Sequence, residues 1–172
     1  MIPYDHDFVA EQNLLLDSIL ESKNGIDRFS AIVIRLDALE DRYLPELFGF
    51  LSYLRDPRSL KWIEDNVGRC VNIAGTWGHL AACSHITWER TESWLSRGRP
   101  LSLVALDVIW LHTTTGPRLN QSPLMREINP RFPSSVSSAK IAHAVSRYAE
   151  QDDVARVRFA RDAILSNLFG AC

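Results

Sequence analysis

From Leu101 to Leu111 almost every side chain is apolar, with Ser102 and Asp107 the exceptions. Leu101, Val104, Ala105, Val108 and Ile109 share one helical face, and Leu103, Leu106 and Trp110 share another. A helix that is apolar nearly all round is buried on several sides, so this segment is expected at the centre of the fold. Pro100 stands where its fixed φ suits a first helical turn, and Gly98 stands where a preceding helix would stop. Asp107 is the one interior charge. It is expected to be buried and neutralised by Arg97, Arg99 or helix N–H groups, because an unpaired buried carboxylate is expensive.

The rest of the chain shows the same 3.6-residue period. Phe8, Leu14, Leu15, Ile19 and Leu20 predict a helix over 5–21, and Ile26, Phe29, Val33 and Leu36 predict one over 26–39. Leu44, Leu47, Phe48, Leu51 and Leu54 mark a third over 43–54. Asp56 and Pro57 supply a cap and a first turn for a fourth, carrying Leu60, Ile63 and Val67 and ended by Gly68. Helices are also expected over 80–96, 134–150 and 152–169. Within 80–96, Trp88 and Trp94 fall on different faces, which predicts partial exposure of one. Gly75 and Gly78 predict a loop or distorted helix between 69 and 87, where Val71–Ala74 is the only stretch with strand character. Residues 113–133 hold four of the eight prolines and predict a long loop. The result is eight helices, paired by short turns within hairpins, in a single domain over 1–172.

Tyr43–Leu54, Asp56-Pro57 and Leu60 resemble the HEAT repeat: a first helix with a proline and spaced leucines, a turn bearing Asp and Pro, then a second aliphatic helix. Pro57 and Pro100 are 43 residues apart, within the spacing of HEAT or armadillo units. Asp153, Val157, Arg158, Ala160 and Ile164 repeat the layout near the C-terminus. The resemblance implies an all-α fold, a short α-solenoid of about four antiparallel helical hairpins. The stretches Y-L-P-E-L-F-G-F-L-S-Y-L-R-D-P-R-S-L and R-G-R-P-L-S-L-V-A-L-D look like those of HEAT-like immunity proteins of bacterial contact-dependent growth inhibition and related toxin systems. That likeness implies a cytoplasmic protein that binds a cognate toxin domain and neutralises it. A scaffold or adaptor would use the same pattern.

Charge adds a surface for such a partner. Residues 1–66 carry 13 acids and 7 bases, and the remainder carries 8 acids and 12 bases. Asp37, Glu40, Asp41, Glu46, Glu64 and Asp65 are therefore expected on an acidic edge that attracts a basic partner, with Trp77 as an aromatic anchor. Arg147, Arg156, Arg158 and Arg161 make the last hairpin basic, which keeps a nucleic-acid-binding or DNA-glycosylase-like alternative. The net charge of −2 weighs against that alternative.

Little else in the chain suggests chemistry. Cys70, Cys83 and Cys172 form no disulfide framework, and Cys83 and His85 lack the paired spacing of a zinc site. No phosphate-binding, dinucleotide-binding, metalloprotease or nucleophile-elbow motif is present. No catalytic residue, metal or cofactor is expected. Neither a membrane span nor a signal peptide is expected, since the acidic start M-I-P-Y-D-H-D-F has no basic or apolar region.

Overall fold

The computed structural model describes residues 27–41, 44, 51, 56–69, 85–114 and 132–170, together with Ala10 and Leu14. Among the described residues there are six α-helices and no strand: α1 Arg28–Ala38, α2 Arg58–Asn66, α3 Trp88–Ser96, α4 Leu101–Thr113, α5 Ser138–Gln151 and α6 Ala155–Phe169. Ala10, Leu14, Leu44 and Leu51 are helical as well. The rest of the expected 5–21 and 43–54 helices and residues 70–84 and 115–131 lie outside the described residues.

Local chemistry accounts for the helix starts. Asp27 caps α1, its Oδ1 accepting from the Ser30 N–H at 3.0 Å. Just before α2, Asp56 accepts from the Arg58 N–H at 2.8 Å, and Pro57 takes the N-cap position at φ −61°. Arg58 then forks between Asp56 Oδ2 at 2.6 Å and Asp27 Oδ1 at 2.9 Å, and it stacks over the Phe29 ring at 4.4 Å. One guanidinium thus ties together the N-terminal ends of α1 and α2 and holds Asp27 well below the usual carboxylate range.

Helix boundaries differ from the pattern wherever a cap outranks periodicity. Within the expected 80–96 helix, α3 starts at Trp88, because Thr87 takes an extended conformation and its side chain accepts from the Arg90 N–H at 3.3 Å; residues 80–84 lie outside the described residues. The helix expected from Ser134 starts at Ser138 behind the Ser137 cap. Gly98 ends α3 as expected, at φ +75°, a conformation that favours glycine. At the end of α2, a 3₁₀ turn over Val67–Arg69 takes over, spanning Gly68.

The core centres on α4. Val104, Ala105, Leu106, Val108 and Ile109 are fully buried, and the helix packs against both α3 and α6. Its outward stripe is Leu103, Asp107 and Trp110, at i, i+4 and i+7; Trp110 is 39% exposed. The surface edge of the central helix is therefore where its single carboxylate lies. α5 packs against α3 and α6. Trp88 and Trp94 are both fully buried, against the expectation that one would reach solvent. The two faces they occupy are both covered, since α3 contacts α4 and α5 and reaches Glu64 of α2.

Candidate functional site

The acidic residues of the N-terminal half are mostly engaged within the fold. Asp37 accepts from Trp62 Nε1 at 2.9 Å. Asp41 takes Arg69 Nε at 2.8 Å, while Arg69 also donates to the Leu39 carbonyl. Asp65 pairs with Lys61 at 2.6 Å. Asp37, Glu40, Asp41 and Asp65 nevertheless remain exposed, along the C-terminal end of α1 and the outer side of α2. Glu64 is different. Its side chain is only 16% exposed, and its Oε1 takes both Arg90 Nε at 2.8 Å and Trp94 Nε1 at 2.6 Å. Burial works against its charge, but Arg90, Trp94 and Arg97 outweigh that and hold it below the usual glutamate range. Glu64 is a link between α2 and α3, and a partner would meet little of it. Glu46 and Trp77 lie outside the described residues.

The ion pair at Asp107 also differs from expectation. Its cation is Arg156 of α6, at 3.5 Å. Arg99 pairs instead with Asp152 at 2.8 Å, and Arg97 approaches Glu64 at 4.0 Å. The reason is geometric: Asp107 lies two turns into α4, at the exposed edge of its contact with α6, whereas Arg97 and Arg99 sit before its first turn. Burial pushes the Asp107 carboxyl up to about 7, only partly offset by Arg156. Two further arginines of α6 are similarly taken up: Arg158 pairs with Asp153 at 3.1 Å and Arg161 with Asp162 at 2.8 Å.

A concave surface lies between α3 and α5. Two adjoining cavities, of about 150 and 580 Å³, share Leu95, Ser96, Tyr148 and Gln151. A chain of hydrogen bonds holds this region in place. Ser102 Oγ lies 2.6 Å from the Tyr148 hydroxyl, which lies 2.7 Å from Asp152 Oδ2. A carboxylate only accepts, so the phenol proton goes to Asp152 and the buried Ser102 hydroxyl donates to the phenol oxygen. Arg99 completes the chain on the same Oδ2. Burial first, and then the hydrogen bond to Asp152, pushes the Tyr148 hydroxyl up to about 12. It therefore stays protonated at neutral pH and serves as a fixed donor between the start of α4 and the end of α5. Removing it in Tyr148→Phe is expected to cost about 1–2 kcal/mol in urea unfolding, with the binding surface unchanged in shape. A loss no larger than that of an exposed substitution would show the chain to be inert.

Nothing in the sequence marks this groove. Tyr148 continues the Ile141–Val145 stripe and reads as ordinary core, and Ser102 is a polar exception in an apolar helix. Their partnership spans 46 residues. Among the described residues, no group of three or more His, Cys, Asp or Glu side chains could hold a metal ion. No described helix is long and apolar enough to cross a membrane. No protein-family model, no curated protein and no solved structure matches the chain.

Proposed function

We propose that this chain is a HEAT-like α-solenoid of about four antiparallel hairpins, and that it works by binding another protein. The observation that supports this is the pairing of equivalent helices. α3 lies on α5 and α4 on α6, while α3 with α4 and α5 with α6 are joined by short turns. Contacts advance in the same direction along each equivalent pair. Trp88 meets Lys140 near the start of α3 and α5, and Leu95 lines a cavity with Tyr148 near their ends. Asp107 meets Arg156 on α4 and α6, and further on Thr113 meets Asn167. Along α1 and α2 the sequence is Asp27 with Arg58, Asp37 with Trp62, then Asp41 with Arg69. Parallel neighbours of this kind are what stacked hairpins produce. Stacks of hairpins act through extended surfaces.

The sharper form of the reading is an immunity protein that neutralises a cognate toxin domain in the bacterial cytoplasm. It rests on the resemblance of the Tyr43–Leu60 and Arg97–Asp107 stretches. The exposed acids Asp37, Glu40, Asp41 and Asp65 fit a basic partner. Ion pairing of Arg156, Arg158 and Arg161 leaves the nucleic-acid alternative with less free positive charge. A pull-down from the native genetic background tests the reading. Recovery of a toxin domain whose activity is lost in the complex, with association slowed by charge reversal at Glu40 and Asp41, is the expected result. A DNA complex that dissolves with salt would overturn it.

A further inference from the structure

We propose that the groove between α3 and α5 is a binding site for an extended acidic peptide segment, with Arg147 as the carboxylate-binding residue. This rests on the protein-binding reading and assigns it a second surface, away from the acidic edge of α1 and α2.

Arg58, Arg69, Arg90, Arg99, Arg156, Arg158 and Arg161 each have a carboxylate within 3.5 Å. Arg147 has no such partner among the described residues, is exposed, and lines the groove beside His143. One turn of helix separates the two, so their donors lie along one wall. Asp152, at the end of the groove, is already satisfied by Tyr148 and Arg99 and does not compete for Arg147. Leu95, Ala144 and the Tyr148 ring offer an apolar floor, while Ser96 and Gln151 offer side-chain groups suited to a peptide backbone. The Ser102–Tyr148–Asp152–Arg99 chain keeps that floor rigid before any ligand arrives, which reduces the ordering needed on binding. Glu92 stands on the opposite wall. It disfavours a continuous polyanion such as a nucleic acid, and it can accept from a backbone N–H of a peptide. A guanidinium with no carboxylate beside it among the described residues is the feature that selects the ligand.

The test is an amide-resolved NMR titration of the whole protein with hexaglutamate, in the parent, in Arg147→Glu and in Arg158→Glu. The two variants change net charge equally. The expected result is a saturable response confined to residues 92–99 and 143–152, weakened about tenfold or more by Arg147→Glu and less than about twofold by Arg158→Glu. Equal weakening by both variants would overturn the proposal, because it would mark general charge attraction. So would a response on other faces, no response, or tighter seating of an oligothymidine at the same amides. If hexaglutamate stays out of the groove while a protein partner is still captured, the groove assignment fails and the protein-binding reading stands. If hexaglutamate seats as described and no protein partner is captured, the groove assignment stands and that reading falls.

Discussion

Trp94→Ala is expected to lower the unfolding free energy by about 3–5 kcal/mol, the largest effect expected of any single substitution. Trp94 is fully buried, so the truncation removes a large apolar surface and leaves space that α3 cannot easily collapse into. It also removes the indole N–H that meets Glu64 at 2.6 Å. Glu64→Ala keeps the indole packing but strips the acceptor from a buried N–H and from Arg90, which is expected to cost about 1–3 kcal/mol. The two residues share one interaction, so the double variant should lose less than the sum of the single losses. Urea unfolding of the parent, the two single variants and the double variant measures this coupling. Additive losses would mean that the short contact contributes nothing of its own.

Asp107→Asn is expected to stabilise the protein at pH 8 and to change it little at pH 4. The Asp107 carboxyl is pushed up to about 7 by burial, whereas in the unfolded chain it titrates near 4. A carboxyl raised in this way contributes stability that is fully present below about pH 4 and is lost as pH rises through about 7. At pH 8 the folded protein therefore holds a carboxylate on the central helix, 24% exposed, with its Arg156 partner at 3.5 Å. The long pair only partly compensates for the lost solvation. The difference between the folded and unfolded chains corresponds to about 4 kcal/mol as an upper figure, and partial solvent contact reduces it to about 2–3 kcal/mol. Asn stays neutral throughout, so the gap between variant and parent should open between about pH 4 and pH 7. Unfolding midpoints at pH 4 and pH 8 check it. A gap of the same size at both would mean that ionisation of Asp107 is not the cause.

What the sequence determined by itself was local. Asp27, Asp56-Pro57 and Gly98 mark helix ends through backbone chemistry that depends only on immediate neighbours, and all three act as their residue types dictate. The all-round apolar character of 101–111 also identified the buried helix, because hydrophobic burial follows from composition along one helix and does not depend on which neighbours cover it. The all-helical character of the described residues follows from the same periodicity.

Partnerships across the fold were decided by tertiary structure. Asp107 and Arg156 are 49 residues apart, Glu64 and Trp94 are 30 apart, and Ser102 and Tyr148 are 46 apart. Periodicity reports which face of a helix is apolar, but not how the helix is rotated against its neighbours or which of several arginines its rotation brings within reach. That is why the nearest arginines in sequence, Arg97 and Arg99, were expected at Asp107 and found at Glu64 and Asp152. It is also why Trp88 and Trp94 are both buried on different faces: α3 is covered on more than one side by helices that its own pattern does not specify. The groove between α3 and α5 exists only because two helices distant in sequence meet, and a space between elements has no sequence of its own.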